Sequence, residues 1–132
     1  MKEFKVGDSA SFSKTISEAD VYQFAGIVGD FNPLHVNAVE AAKSRFKARV
    51  VHGALVSSFV STVLAMYLPG PGTIYMEQKS TFVRPVYIND TITATVTIRE
   101  IGERNVAICD TIVRNQDDVI VVDGYAKIKL PS

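Results

Sequence analysis

Two titratable side chains of complementary type lie in one short segment, Gly29-Asp30-Phe31-Asn32-Pro33-Leu34-His35. A carboxylate such as Asp30 can take a proton from water, and a histidine such as His35 can orient that water or deliver a proton. The two stand five positions apart, and Pro33 between them restricts the backbone. Two such groups around one water suit the addition of water to a double bond or its removal. Spacing alone leaves another reading open, in which Asp30 caps a turn after Gly29 and His35 is a loop histidine with satisfied hydrogen bonds. Other chemistries have little to rest on. The glycine patterns of dinucleotide and phosphate loops, the serine-hydrolase elbow, the paired-histidine zinc helix and the Cys-x-x-Cys pair are all absent.

Composition narrows the classes further. The 132 residues are enough for one domain, 1–132, with a single substantial core. Lys plus Arg and Asp plus Glu number 14 each, so no net charge is available to hold a polyanion, and nucleic acid is not an expected partner. One cysteine, Cys109, excludes an internal disulfide, and with two histidines it cannot build a conventional structural zinc site, so no metal is expected. Cys109 itself lies mid-strand among Val106, Ile108 and Ile112 and reads as a small core residue. The longest apolar stretch, Ala54 to Leu68, is shorter than the roughly 20 residues of a membrane span. Residues 1–8 lack the apolar core of a signal peptide. These features together predict a cytoplasmic protein with no membrane partner.

The elements that must position Asp30 and His35 follow from capping signals and periodicity. Residues 9–16 read as a strand. Ser17 with Asp20 marks a helix start, Val21, Phe24, Ala25 and Val28 form one apolar stripe, and Gly29 is placed to end that helix. Pro33 pushes Asn32 out of helical geometry, so 30–35 is expected to be an irregular loop. Asn37 and Glu40 announce a short helix over about 38–44. Gly53 to Tyr67 is a longer helix, apolar nearly all round and hence expected to be buried on most sides. From Thr73 the period becomes two, with strands at 74–82, after Asn89-Asp90, at about 104–114 and at about 118–130. Four such strands in succession predict an antiparallel meander in an α+β fold, its sheet curled around the long central helix. An uncovered sheet edge is one that a dimer would pair.

The stretch Phe24-Ala25-Gly26-Ile27-Val28-Gly29-Asp30-Phe31-Asn32-Pro33-Leu34-His35, followed by Ala41, resembles the signature of the MaoC-like (R)-specific enoyl-CoA hydratases. Arg49-Val50-Val51-His52-Gly53, Pro69-Gly70 and Phe82-Val83-Arg84-Pro85-Val86-Tyr87-Ile88-Asn89-Asp90 are similar to that family in the same order. The resemblance covers roughly residues 10–130 and implies a single hot-dog domain. It implies that Asp30 and His35 are the catalytic pair and that the Gly53 N–H is the donor to the substrate oxygen. One position departs from the pattern: Val28 stands where a small or hydroxyl residue is usual, which predicts altered packing behind the loop. A physical reason for Gly53 stands beside the resemblance. The first N–H groups of a helix are unpaired and lie at the positive end of its dipole, ready to hold an oxygen on which charge develops. Asn32 and Pro33 are assigned to holding the loop, and His52 to structure.

The expected activity is therefore the reversible syn addition of water to a trans-2-enoyl-CoA, giving the (R)-3-hydroxyacyl-CoA. Coenzyme A is part of the substrate and no separate cofactor is expected. A dehydratase of acyl-carrier-protein thioesters would use similar chemistry. A hot-dog thioesterase would typically carry an acid on the long helix, where this chain has none, and a non-catalytic acyl-CoA-binding module would not need both Asp30 and His35. Arg45, Lys47 and Arg49, with Lys43, offer cations to the coenzyme A phosphates, or a solvated edge. Counting along the helix from Gly53 makes Ser57, Ser61 and Leu64 candidates for the acyl pocket, with Leu64 equally readable as core. A homodimer joined through sheet edges, able to associate further, completes the expectation.

Overall fold

The computed structural model describes residues 3–132. Strand β1 (Ser9–Thr15) leads into helix α1 (Glu18–Val28), whose start is fixed by a reciprocal capping box. The Asp20 N–H donates to Ser17 Oγ at 3.1 Å and the Ser17 N–H donates to the Asp20 carboxylate at 2.9 Å. Gly29 ends the helix in the left-handed region at φ 79°. Val21 and Ala25 of the expected stripe are fully buried, whereas Val28 is exposed. Its place at the last turn carries it past the core, so its departure from the usual small residue changes a surface and not the packing behind the loop.

The segment expected to be wholly irregular contains a short helical turn, α2 (Pro33–Val36). Pro33 begins that turn, where its missing N–H costs nothing, and Asn32 Oδ1 accepts from the Leu34 N–H at 3.0 Å. Helix α3 (Ala38–Ala42) follows, capped by Asn37, and then α4 (Gly53–Met66). Only one stripe of α4 is buried: Val56, Val60, Val63 and Leu64, at helical spacing. Ala54, Ser58, Ser61 and Ala65 are exposed, so the near-complete burial expected for this helix is corrected to one face against the sheet.

The sheet contains β2 (Ile74–Phe82), β3 (Thr91–Ile101), β4 (Val106–Arg114) and β5 (Ile120–Lys129) together with β1, in the spatial order β1-β3-β4-β5-β2 and antiparallel throughout. The meander therefore holds for β3, β4 and β5, while β2 crosses to the far edge and pairs with β5. Close approach there requires Gly124, because a Cβ would sit 1.9 Å from the Lys79 carbonyl oxygen. The inner sheet face contributes Ile92, Ala94, Val96 and Ile98 from β3 and Val122, Ala126 and Ile128 from β5 to the core beneath α4. On the outer face, hydroxyl pairs link β1 to β3: Ser9 with Thr97, Ser11 with Thr95, Ser13 with Thr93 and Thr15 with Thr91. Alternation thus becomes one apolar and one hydroxyl face on β3. On β2 it does not become burial at all, since every residue but the half-buried Ser80 is exposed.

The Asp20 carboxyl is held below its ordinary range, first by the Ser17 backbone N–H and further by Lys14 at 3.2 Å, against an opposing effect of burial. A lowered folded-state pKa stabilises the protein above the unfolded carboxylate range and loses that contribution as pH falls through the folded value. Asp20→Ala is therefore expected to be less stable than the native chain by about 1 kcal/mol at neutral pH. The gap should shrink as urea melts are repeated from pH 5 down toward pH 2.

Candidate active site

The loop between α1 and α2 is tied down from both sides. The Val50 N–H donates to the Leu34 carbonyl at 2.9 Å, and His35 Nδ1 lies 2.7 Å from the Val50 carbonyl oxygen. A carbonyl can only accept, so Nδ1 carries a proton, and in the neutral form of the ring the lone pair is at Nε2. Val50 is bridged to Tyr87, and the Val51 N–H donates to the Val86 carbonyl at 2.7 Å, which anchors the arrangement to the chain entering β3. His35 Nε2 faces Asp30 Oδ2 at 4.0 Å. That separation is too long for a direct hydrogen bond and suits one water bonded to both atoms.

The turn-capping alternative for Asp30 and the chemical one turn out to be compatible. Asp30 Oδ1 accepts from the Asn32 N–H at 3.1 Å and fixes the turn, which leaves Oδ2 directed at His35. In the same way His35 satisfies one nitrogen on Val50 and keeps the other. The side chain of Asp30 is half-exposed, whereas that of His35 is mostly covered. His35 thus presents a directed acceptor within a largely enclosed wall.

An apolar cavity of about 580 Å³ opens beside His35, lined among others by Gly53, Phe82, Val86, Arg45 and Arg84; Asp30 lies outside its wall. Gly53 begins α4, and His52 at the capping position donates no side-chain cap to it. The N-terminal N–H groups of α4 therefore lie uncapped at the positive end of the helix, beside the cavity. A Cβ on Gly53 would meet the Phe82 ring at 2.9 Å, so glycine is what lets that ring lie over the helix start. His35, Gly53 and the cavity come together as the sequence proposed. Asn32 and Pro33 build the loop's cap and first helical turn.

Several proposed binding residues lie elsewhere. Leu64 is in the core cluster, and it does not line the cavity, nor do Ser57 and the exposed Ser61. Arg49 is committed to α1, donating to Glu18 at 2.5 Å and to the Tyr22 hydroxyl at 2.6 Å; the Glu18 hydrogen bond is the main reason its pKa is raised. Lys47 is exposed and absent from the cavity wall, and Lys43 pairs with Glu40 at 3.3 Å. Arg45 alone of the four cations borders the cavity. Arg84 borders it too, in a stretch whose family likeness was visible but whose side-chain role was not. Cys109 is buried, and desolvation pushes its thiol up to about 11, consistent with a core side chain.

His52 stands out among the residues that sequence reasoning left aside. It is buried, its ring stacks on His35 with centroids 3.8 Å apart, and its Nε2–H donates to the Asp30 carbonyl at 3.0 Å. Candidate ligand atoms of Asp30, His35 and His52 lie within 4.8 Å of one another. They suit a cation poorly, because the two stacked rings, 28° from parallel, direct their in-plane lone pairs alongside each other instead of at one point. Among the described residues no helix is long and apolar enough to cross a membrane.

A curled antiparallel sheet around one helix, with Asp30 and His35 beside that helix's N-terminus, is a hot-dog arrangement. The chain belongs to the MaoC-like domain family, whose model matches residues 3–120. An (R)-specific enoyl-CoA hydratase of Rhodospirillum rubrum is 42% identical over 131 residues, covering 99% of this chain and 91% of that protein. The solved (R)-hydratase of Aeromonas caviae, involved in PHA biosynthesis, superposes with a TM-score of 0.95 at 37% identity, covering 99% of this chain and all of that one. An R-hydratase of Pseudomonas aeruginosa gives the same TM-score at 40% identity, covering 98% of this chain and 84% of that one.

Because Leu64 is enclosed by the core, Leu64→Ala should cost about 2–5 kcal/mol of stability, the usual range for emptying such a site. Denaturant melts measure it directly.

Proposed function

We propose that the protein is an (R)-specific enoyl-CoA hydratase, adding water reversibly and with syn geometry to a trans-2-enoyl-CoA. The observation that carries this reading is the pair Asp30 Oδ2 and His35 Nε2, set 4.0 Å apart, with His35 on the wall of an apolar cavity that also borders the uncapped start of α4. The family membership and the names of the whole-length relatives support it.

The geometry performs the reaction in few steps. A water directing its two O–H bonds at Asp30 and His35 keeps an oxygen lone pair free to attack C3 of the enoyl group. As the new C–O bond forms, the C2–C3 π electrons shift toward the thioester carbonyl, and the oxygen gains negative charge. The Gly53 N–H and the positive end of α4 stabilise that charge. Asp30 accepts a proton from the water, His35 orients it, and the pair returns one proton to C2. Because the hydroxyl and that proton reach the alkene from the same face, the addition is syn, and one water is consumed with no other co-reactant. The reading calls for no cofactor beyond the coenzyme A that the substrate carries, and Arg45 and Arg84 supply cations for its phosphates. It is consistent with a cytoplasmic setting in which Cys109 stays reduced.

The same reading includes a homodimer. Strand β2 is an edge strand whose Ile74, Met76 and Phe82 are exposed, and pairing two such edges would cover them. Light scattering at micromolar concentration should give a particle of about twice the 14.4 kDa chain, or a multiple of that. A stable monomer would reject the dimer.

The activity is tested by mixing the protein with crotonyl-CoA, following loss of the conjugated enoyl-thioester absorbance and resolving the product on a chiral column. The (R)-3-hydroxy product is expected; release of free thiol would point to thioester hydrolysis, and turnover of the carrier-protein thioester alone to the dehydratase. Asp30→Asn and His35→Ala should each lower kcat by about 10²–10⁴-fold while the fold is retained. Near-native turnover in both would overturn the scheme.

A further inference from the structure

His52 occupies a position whose ordinary task it does not perform. The residue before the first turn of a helix normally offers a side-chain oxygen to the unpaired N–H groups, and His52 offers none. Its ring is turned instead into the space behind the Asp30–His35 loop, held between the edge of Phe24 at 5.0 Å and the face of His35 at 3.8 Å. Nε2–H reaches the Asp30 main-chain carbonyl at 3.0 Å, so the proton sits on Nε2 and the lone pair on Nδ1. That Nδ1 is buried with no hydrogen-bond partner among the described residues. Burying an acceptor unpaired is unfavourable, and a Leu or Phe at this place would avoid it. What an apolar residue could not supply is the tether to Asp30.

We propose that His52 is a positioning residue, which fixes the separation of Asp30 and His35 by holding the first through its backbone and backing the second with its ring. Among the described residues Asp30 is otherwise attached locally, through the Asx turn to Asn32, and its side chain is half-exposed. His35 is anchored to Val50 at one ring nitrogen, which leaves its plane free to tilt unless something lies against its face. A single ring thus links two residues that arrive from opposite ends of the loop, and it starts from the residue next to Gly53. The two acceptors for water and the donor for the thioester oxygen are thereby held to one another. This inference rests on the hydratase reading of the pair, and two kinds of measurement keep their failures apart.

Two variants divide the contributions. His52→Phe keeps a ring against His35 and removes the donor; His52→Gln keeps an N–H able to reach the Asp30 carbonyl and removes the ring. With crotonyl-CoA, well below the melting temperature of each variant, His52→Phe should lower kcat by about 10- to 100-fold, the cost of a small misplacement, with KM changed less than about threefold. His52→Gln should recover a substantial part of that loss. Amide hydrogen exchange supplies a readout independent of turnover. The His35 and Asn37 amides, bonded to the Asn32 and Pro33 carbonyls, should exchange faster in His52→Phe than in His52→Gln, while amides of β3 and β4 stay protected in both. The proposal is overturned if His52→Phe keeps kcat within about twofold of the native chain, if His52→Gln falls as far as His52→Phe, or if protection is lost evenly throughout the protein. Absence of hydratase turnover in the native chain would instead reject the activity, and the exchange comparison would still decide the tether.

Discussion

The hydrogen bond from His35 Nδ1–H to the Val50 carbonyl sets the state of everything around it. It fixes which nitrogen of the imidazole carries the proton, and so makes Nε2 an acceptor facing Asp30. Val50 also donates to Leu34, so two consecutive residues of α2 are bound to one residue of the neighbouring segment. That segment is bridged to the chain entering β3, and β3 lies beneath α4 in the core. The loop chemistry is in this way referred to the most deeply buried part of the molecule, where close packing permits little displacement.

The helix start supplies the complementary half. His35 and the uncapped helix N-terminus border the same cavity; on the proposed reading, protons are drawn from water at the Asp30–His35 pair and negative charge is received at the helix start. The largely apolar lining of the cavity lowers the local dielectric and strengthens both effects. Gly53 serves this arrangement twice, as the first residue of α4 and as the position over which Phe82 can lie.

Much of this was legible in the sequence because local signals and tertiary structure agree. Ser17 with Asp20, Gly29, Asn37 and the shift of period at Thr73 each mark a boundary close to where it occurs, and Asp30, His35 and Gly53 stand out by residue type and resemblance together. What the sequence left obscure depended on the third dimension. The crossing of β2 to pair with β5 is a long-range choice that alternation does not encode, and its clearest trace is the glycine at 124. Val28 has the right spacing for the core and is exposed, because a periodic stripe does not say where the core ends. Helical spacing from Gly53 points to Leu64, yet the cavity wall follows only the first turn of α4, as far as Val56, and then continues along Phe82, Val83 and Arg84. His52 reads from sequence as structural, since a lone histidine before a helix gives no sign that its ring will meet another one.

The central claim, that Asp30 and His35 act on one shared water, is tested most directly by a double-mutant cycle in kcat. If both groups serve the same molecule, Asp30→Asn combined with His35→Ala should be scarcely slower than the slower single variant. A double variant whose loss equals the product of the two single losses would show that the groups work independently, and would contradict the account.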